Sequence, residues 1–218
     1  MSLLQSHFQN TQISNADYYA VKARALAHAQ KCLRNQYGAD LSLTLINHDA
    51  VQARNAEWKP YISSSAFLSQ RYYYGDWLKK FIIPASGQAH DIDVIISPNF
   101  YPWRFEAAIW HGHELCGLSI GGYKEELQRD FVSIWLIEAS PHKGHPLKGK
   151  IMEIVDLASA FYATELGVSK VCHMGPFSEG AQKNYRVMGL KGGIVQYNDR
   201  NNTAAYLRDV KTTTAPVP

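Results

Sequence analysis

Apolar residues recur at three- and four-residue spacing through Tyr18, Val21, Ala25, Ala29 and Cys32. This stripe predicts an amphipathic helix that Asn15 can cap and Gly38 can end. Leu41, Leu43 and Leu45 alternate with polar neighbours and predict a strand over 41–46. A helix over 49–58 stopped by Pro60, and another over 63–80 stopped before Pro84, come next. Residues 86–90 read as a loop and the β-branched run 91–97 as a strand closed by Pro98. From 105 onward the rhythm changes. The segments 105–110 and 115–120 read as a hairpin around His111-Gly112-His113-Glu114, and 131–137 as a strand apolar enough for the centre of a sheet. After a loop over 139–145, Pro146 opens a helix whose face is Ile151, Ile154, Val155, Ala158, Phe161, Tyr162 and Leu166, and Gly167 stops it. A strand over 168–174, a helix over 178–188 and strands over 193–197 and 204–210 complete the pattern. The order β-β-β-α-β-α-β-β predicts a mixed sheet flanked by helices, an α/β fold.

Composition narrows the class. With 218 residues, 46% of them apolar and 19% charged, the chain fits one folded domain and not a disordered one. We divide it into a helical part over 1–90, a sheet core over 91–211 and a frayed tail over 212–218. No apolar run approaches the ~20 residues that span a bilayer, so no membrane partner is expected. The first residues lack the basic start and apolar centre of a signal peptide, which makes the cytoplasm the expected location. Cys32, Cys116 and Cys172 are odd in number and far apart, which argues against a disulfide scaffold and a zinc site and for thiols buried as small hydrophobes. The net charge is +3, split as +4 over residues 1–90 and −1 over 91–218. That excess is too weak to announce nucleic acid and suits an anionic substrate or partner.

The chemistry concentrates between 131 and 167. A glycine-containing loop entering a long helix presents unpaired N–H groups and the positive end of the helix dipole, an arrangement that suits phosphate. Lys143, Lys148 and Lys150 add charge there, with His142 and His145 as donors. His111 and His113 sit in a hairpin turn without an evident third ligand, so no metal is expected. No Gly-x-Ser-x-Gly elbow is present. The aromatic-rich segment 58–81 is read mainly as packing, with the capacity to wall an acceptor pocket.

Particular residues then carry a resemblance. Gly112 lies in the hairpin turn, Gly117 in Glu114-Leu115-Cys116-Gly117, and Ile137-Glu138-Ala139-Ser140-Pro141 at a strand end. Glu165-Leu166-Gly167-Val168 ends the long helix, and Ser178, Ala181, Tyr185 and Gly189-Leu190 match the spacing Asn-x-x-Ala-x-x-x-Tyr-x-x-x-Gly-Phe. Over about 105–197 the chain resembles the GNAT superfamily of acyl-CoA N-acyltransferases. It departs from the family twice. The loop signature Arg/Gln-x-x-Gly-x-Gly/Ala is not intact, because Lys150 and Met152 stand near its small positions and Gly149 is the nearby glycine; and Ser178 replaces Asn.

The resemblance implies a GNAT-like fold with a helical N-terminal elaboration. It implies acetyl-CoA or another acyl-CoA as co-substrate, and direct transfer to the primary amine of a small molecule or peptide. It places the co-substrate on Ile137, Ala139, His145, Leu147, Lys148, Gly149, Lys150 and Ser178. Tyr185 would protonate the departing thiolate, Glu138 would serve as general base, and a backbone N–H near Ala139 would polarise the acyl carbonyl. Two other readings keep the fold. One is a synthase of the N-acyl amino acid or homoserine lactone type, fed by an acyl carrier protein that docks on the basic N-terminal half. The other is a non-catalytic acyl-CoA-binding or regulatory protein. A homodimer is within the expectation.

Overall fold

The computed structural model describes residues 15–58, 104–123, 131–174, 179–198 and 201–210. The helix expected over 63–80 and the strand expected over 91–97 lie outside these residues. In chain order the elements are α1 (Asn15–Tyr37), β1 (Leu41–Thr44), α2 (His48–Ala53), a π-helical turn (Arg54–Trp58), β2 (Arg104–His111), β3 (Glu114–Gly122) and β4 (Phe131–Ala139). They continue with α3 (Ile151–Glu165), β5 (Lys170–Met174), α4 (Glu179–Val187), β6 (Lys191–Asn198) and β7 (Asn201–Asp209).

The described strands form one mixed sheet in the order β1-β2-β3-β4-β5-β7-β6. Every neighbouring pair is antiparallel except β4 and β5, which the α3 crossover makes parallel. One face carries α1 and α3. Tyr18, Val21, Ala25, Leu26, Ala29 and Leu33 of α1 share a core with Val132, Ile134, Ile154, Val155, Ala158 and Tyr162. Tyr162 stacks on Phe105 at 5.0 Å between centroids, a pairing worth ~0.5–1.5 kcal/mol beyond area burial. The opposite face packs Ala50, Val51 and Trp58 on Ala108, Leu115, Leu118 and Ile120.

Several boundaries shift for local reasons. β1 ends at Thr44, two residues early, because the chain leaves the sheet to present Asn47, whose side chain accepts from the Ala50 N–H at 3.0 Å and caps α2. The helix expected to open at Pro146 starts at Ile151; the chain instead turns through His145 N–H to His142 O, Lys148 N–H to His145 O and Lys150 N–H to Leu147 O. Gly167, at φ 71°, ends α3 where foreseen, with Val168 N–H reaching back to Ala163 O at 2.8 Å. On α1, Cys32 is exposed and Leu33 takes the inward position. The expectation of three buried thiols is therefore corrected to two.

Candidate active site

β4 and β5 pair only from Phe131 opposite Lys170 to Ile134 opposite His173. β4 then runs on to Ala139 while β5 stops at Met174, so the strands part at their carboxyl ends. At that point β4 bulges: Gly121 faces Ile134 and Ile120 faces Leu136, leaving Trp135 as an extra residue. Ser140 donates its N–H toward β3, to Cys116 O at 2.8 Å. Successive N–H groups of a strand alternate in direction, so that of Ala139 points the other way, into the gap.

The loop after β4 is pinned to the hairpin. His142 Nδ1 lies 3.2 Å from Glu114 Oε1, and its backbone N–H donates to Ser140 Oγ at 3.2 Å. Gly149 takes φ 77° with nothing within 4 Å of where a Cβ would stand, immediately before Lys150 at the N-cap of α3. Lys150 gives that helix no side-chain cap. The first-turn N–H groups of Ile151, Met152 and Glu153 have no intrahelical acceptor, and the helix dipole is positive there. A Cβ on Gly117 would stand 2.7 Å from Ile151 Cγ2, so glycine there lets the start of α3 settle onto β3.

The expected co-substrate residues divide. Lys143, Lys148, Gly149 and Lys150 are exposed around the helix start. Leu147 and His145 turn inward, Leu147 into the main core, so only their backbone faces the loop surface. The His145 Nδ1 is buried without a hydrogen-bond partner, and burial lowers its pKa, which keeps the ring neutral near pH 7. Ile137 and Ala139 lie on the part of β4 beyond its pairing with β5. Ser178 lies outside the described residues. Among those residues no group of three or more His, Cys, Asp or Glu side chains could hold a metal, and no helix is long and apolar enough to cross a membrane.

Tyr185 and Glu138 occupy opposite faces of the sheet. Tyr185, buried on α4, packs with Leu190, Tyr206 and the half-buried Met152 from the first turn of α3. Glu138, also buried, meets Arg54 of the π-helical turn: Nε to Oε2 at 3.1 Å and Nη2 to Oε1 at 3.4 Å. The gap between β4 and β5 is what connects the two faces.

Arg54, Asp156 and His173, near this site, escaped sequence reasoning. The wide π turn brings Arg54 and Trp58 inside together, which no 3.6-residue pattern encodes. Asp156 and His173 form a buried pair, Oδ1 to Nε2 at 3.0 Å. The available signal was Asp156 itself, a carboxylate directly after Ile154 and Val155 on a helix face otherwise read as apolar.

Burial, aided by Glu114, pushes the Cys116 thiol up to about 11, so it is not a thiolate at neutral pH. Cys172 is buried and lies against Met174 sulfur at 3.4 Å, and Cys32 is on the outer side of α1. None of the three is an activated nucleophile.

No protein-family model matches the chain, and no curated protein matches it significantly. Solved structures do. The acetyltransferase from Salmonella typhimurium that modifies the N-terminal serine of the 50S ribosomal subunit protein L7/L12 is 14% identical, over 79% of this chain and 96% of its own, with a TM-score of 0.52. A probable acetyltransferase from Staphylococcus epidermidis ATCC 12228 is 10% identical, over 78% and 99%, with a TM-score of 0.50. The chain has the fold of the GNAT acetyltransferases.

Proposed function

We propose that this chain is an N-acyltransferase that moves an acyl group from acyl-CoA, acetyl-CoA first among them, directly onto a primary amine. The observation that carries the proposal is the parting of β4 and β5 beside the uncapped start of α3, with Tyr185 packed against Met152 at that start. The residues present fit the co-substrate. The turn at Gly149 leaves open space, first-turn N–H groups await an anion, and three exposed lysines surround them.

The chain's own groups then divide the work. Helix start and lysines hold the pyrophosphate. The Ala139 N–H, aimed into the gap, receives the charge that develops on the acyl oxygen as the amine attacks. Tyr185 gives its hydroxyl proton to the departing thiolate sulfur. Glu138, oriented by Arg54, takes the proton that the attacking nitrogen loses, directly or through one water. Donor and acceptor thus approach from opposite faces of the sheet. Direct attack fits the thiols, since no cysteine is set up to carry the acyl group.

The acceptor is a small-molecule or peptide amine. The Salmonella neighbour modifies the N-terminus of a ribosomal protein, which makes peptide N-termini the first acceptors to assay. The test is single-turnover transfer from acetyl-CoA to a panel of amines, followed by mass spectrometry. Tyr185→Phe should keep CoA binding and lower the rate by ~10²-fold or more, the usual share of a general acid. Undiminished transfer by that variant would remove Tyr185 from the mechanism. Transfer from a charged acyl carrier protein but not from acyl-CoA would move the donor to the carrier.

A further inference from the structure

Asp156 is 1% exposed and His173 is 0% exposed. Asp156 Oδ1 accepts from His173 Nε2 at 3.0 Å, and Oδ2 takes Nη1 of Arg208 from β7. A carboxylate only accepts, so Nε2 carries the proton of this pair. The other ring nitrogen, Nδ1, is buried with no hydrogen-bond partner. A bare buried nitrogen of this kind costs stability. His173 also stands at the last position where β5 pairs with β4, opposite Tyr206 on β7. Its ring centroid is 4.9 Å from that of Tyr185, tilted by 48°, and Tyr185 in turn stacks on Tyr206 at 5.2 Å. Among the described residues, the titratable or charged groups facing His173 are Asp156 from α3, Arg208 and Tyr206 from β7, and Tyr185 from α4; β4 pairs it with Ile134.

We infer that Asp156 and His173 form a positioning dyad for Tyr185, and that the protonated form of His173 promotes proton donation by the phenol. The inference rests on the general-acid reading of Tyr185. Arg208 already balances the Asp156 carboxylate, so a proton on His173 leaves the cluster with a net positive charge. Held against the phenol ring away from water, that charge favours the tyrosinate formed as the O–H bond breaks and the S–H bond of CoA forms. His173 keeps its own protons during the step. The proton shed by the acceptor nitrogen leaves through Glu138, and Tyr185 regains one from water after the products depart. Asp156 fixes the ring so that its charge faces Tyr185, the orienting role a carboxylate plays behind any working imidazole.

The decisive measurement is single-turnover transfer as a function of pH, set beside an imidazole NMR titration of His173 in the same protein. The rate should fall as pH rises through the His173 titration. His173→Gln should lower the rate about tenfold, abolish that limb and leave the KM for acyl-CoA within twofold. Should His173→Gln not fold, Arg208→Gln decides, because its side chain is 42% exposed and its loss spares the core. Loss of Arg208 alters the charge on the carboxylate that holds His173, so any displacement of the NMR midpoint should be matched by the kinetic limb. A limb that persists in His173→Gln, or stays in place in Arg208→Gln while the NMR midpoint moves, overturns the dyad. The underlying reading fails differently: full turnover by Tyr185→Phe removes the acid itself, whatever His173 does.

Discussion

Two buried carboxylates in this molecule are each held between two basic side chains, yet their surroundings differ. Glu106 on β2 sits between Lys22 of α1, 3.8 Å away, and Arg104 two residues earlier on its own strand. All three are buried. Asp156 sits between His173, wholly buried, and Arg208, which is partly exposed. The first group is sealed, and both of its cations are committed to one carboxylate. The second stands where two strands part, and its imidazole touches the ring of Tyr185. A sealed cluster can only hold elements together, at the cost of desolvating its charges. A cluster at an opening, with a group that can change its charge, can act on what enters there.

Breaking the sealed cluster gives the largest effect. Glu106→Gln leaves Lys22 and Arg104 buried without their counter-charge, and should cost ~3–5 kcal/mol of stability. Urea unfolding measures it, and the transfer rate per folded molecule should stay the same. A loss of rate as large as the loss of stability would erase the distinction between the clusters. On the open side, Lys148→Glu with Lys150→Glu reverses the charge at the start of α3 and should weaken CoA binding about tenfold by calorimetry, with an unchanged melting temperature. Unaltered binding would place the pyrophosphate elsewhere.

The smallest effect belongs to Lys22. Burial lowers its pKa below the ordinary 10.5; Glu106 opposes the drop, and the like charge of Arg104 adds to it. Between the lowered value and 10.5 the unfolded chain therefore binds the extra proton, and stability contributed through Lys22 rises with pH across that window. Lys22→Met should remove this rise when urea midpoints are compared from neutral pH up to about 10.5. A variant that keeps the full slope would show that Lys22 is not desolvated.

The same contrast explains what could be read from the chain. The strand-like runs 105–110, 115–120 and 131–137 and the stops at Gly38 and Gly167 are local signals, and the elements formed close to those positions. The spacing of Tyr185 to Gly189 is a signal of the same local kind, and Gly189 follows α4 at φ 79°. The charge clusters were not. Arg54 meets Glu138 across 84 positions, and Arg208 meets Asp156 across 52. Such pairs exist only once the sheet has fixed its strand order. Lys22 stands beside the stripe read for α1, and nothing nearby in sequence announces Glu106. The five turn residues before α3 were misread for a simpler reason: Pro146 is a good first helical residue, but tertiary contacts of Leu147 kept the loop open until Ile151.

The supernumerary Trp135 has a consequence for parity. Before it, even-numbered β4 residues, Val132 and Ile134, face α1 and α3; after it, odd-numbered Ile137 and Ala139 do. Glu138 is thereby turned to the side of Arg54 and Trp58. Strike one residue from the bulge and every side chain downstream changes face. Glu138 would go under α3 beside the dyad, while Arg54 would lose its carboxylate. One residue in the middle of a strand thus acts as a register key, deciding which side chains β4 hands to each side of the sheet.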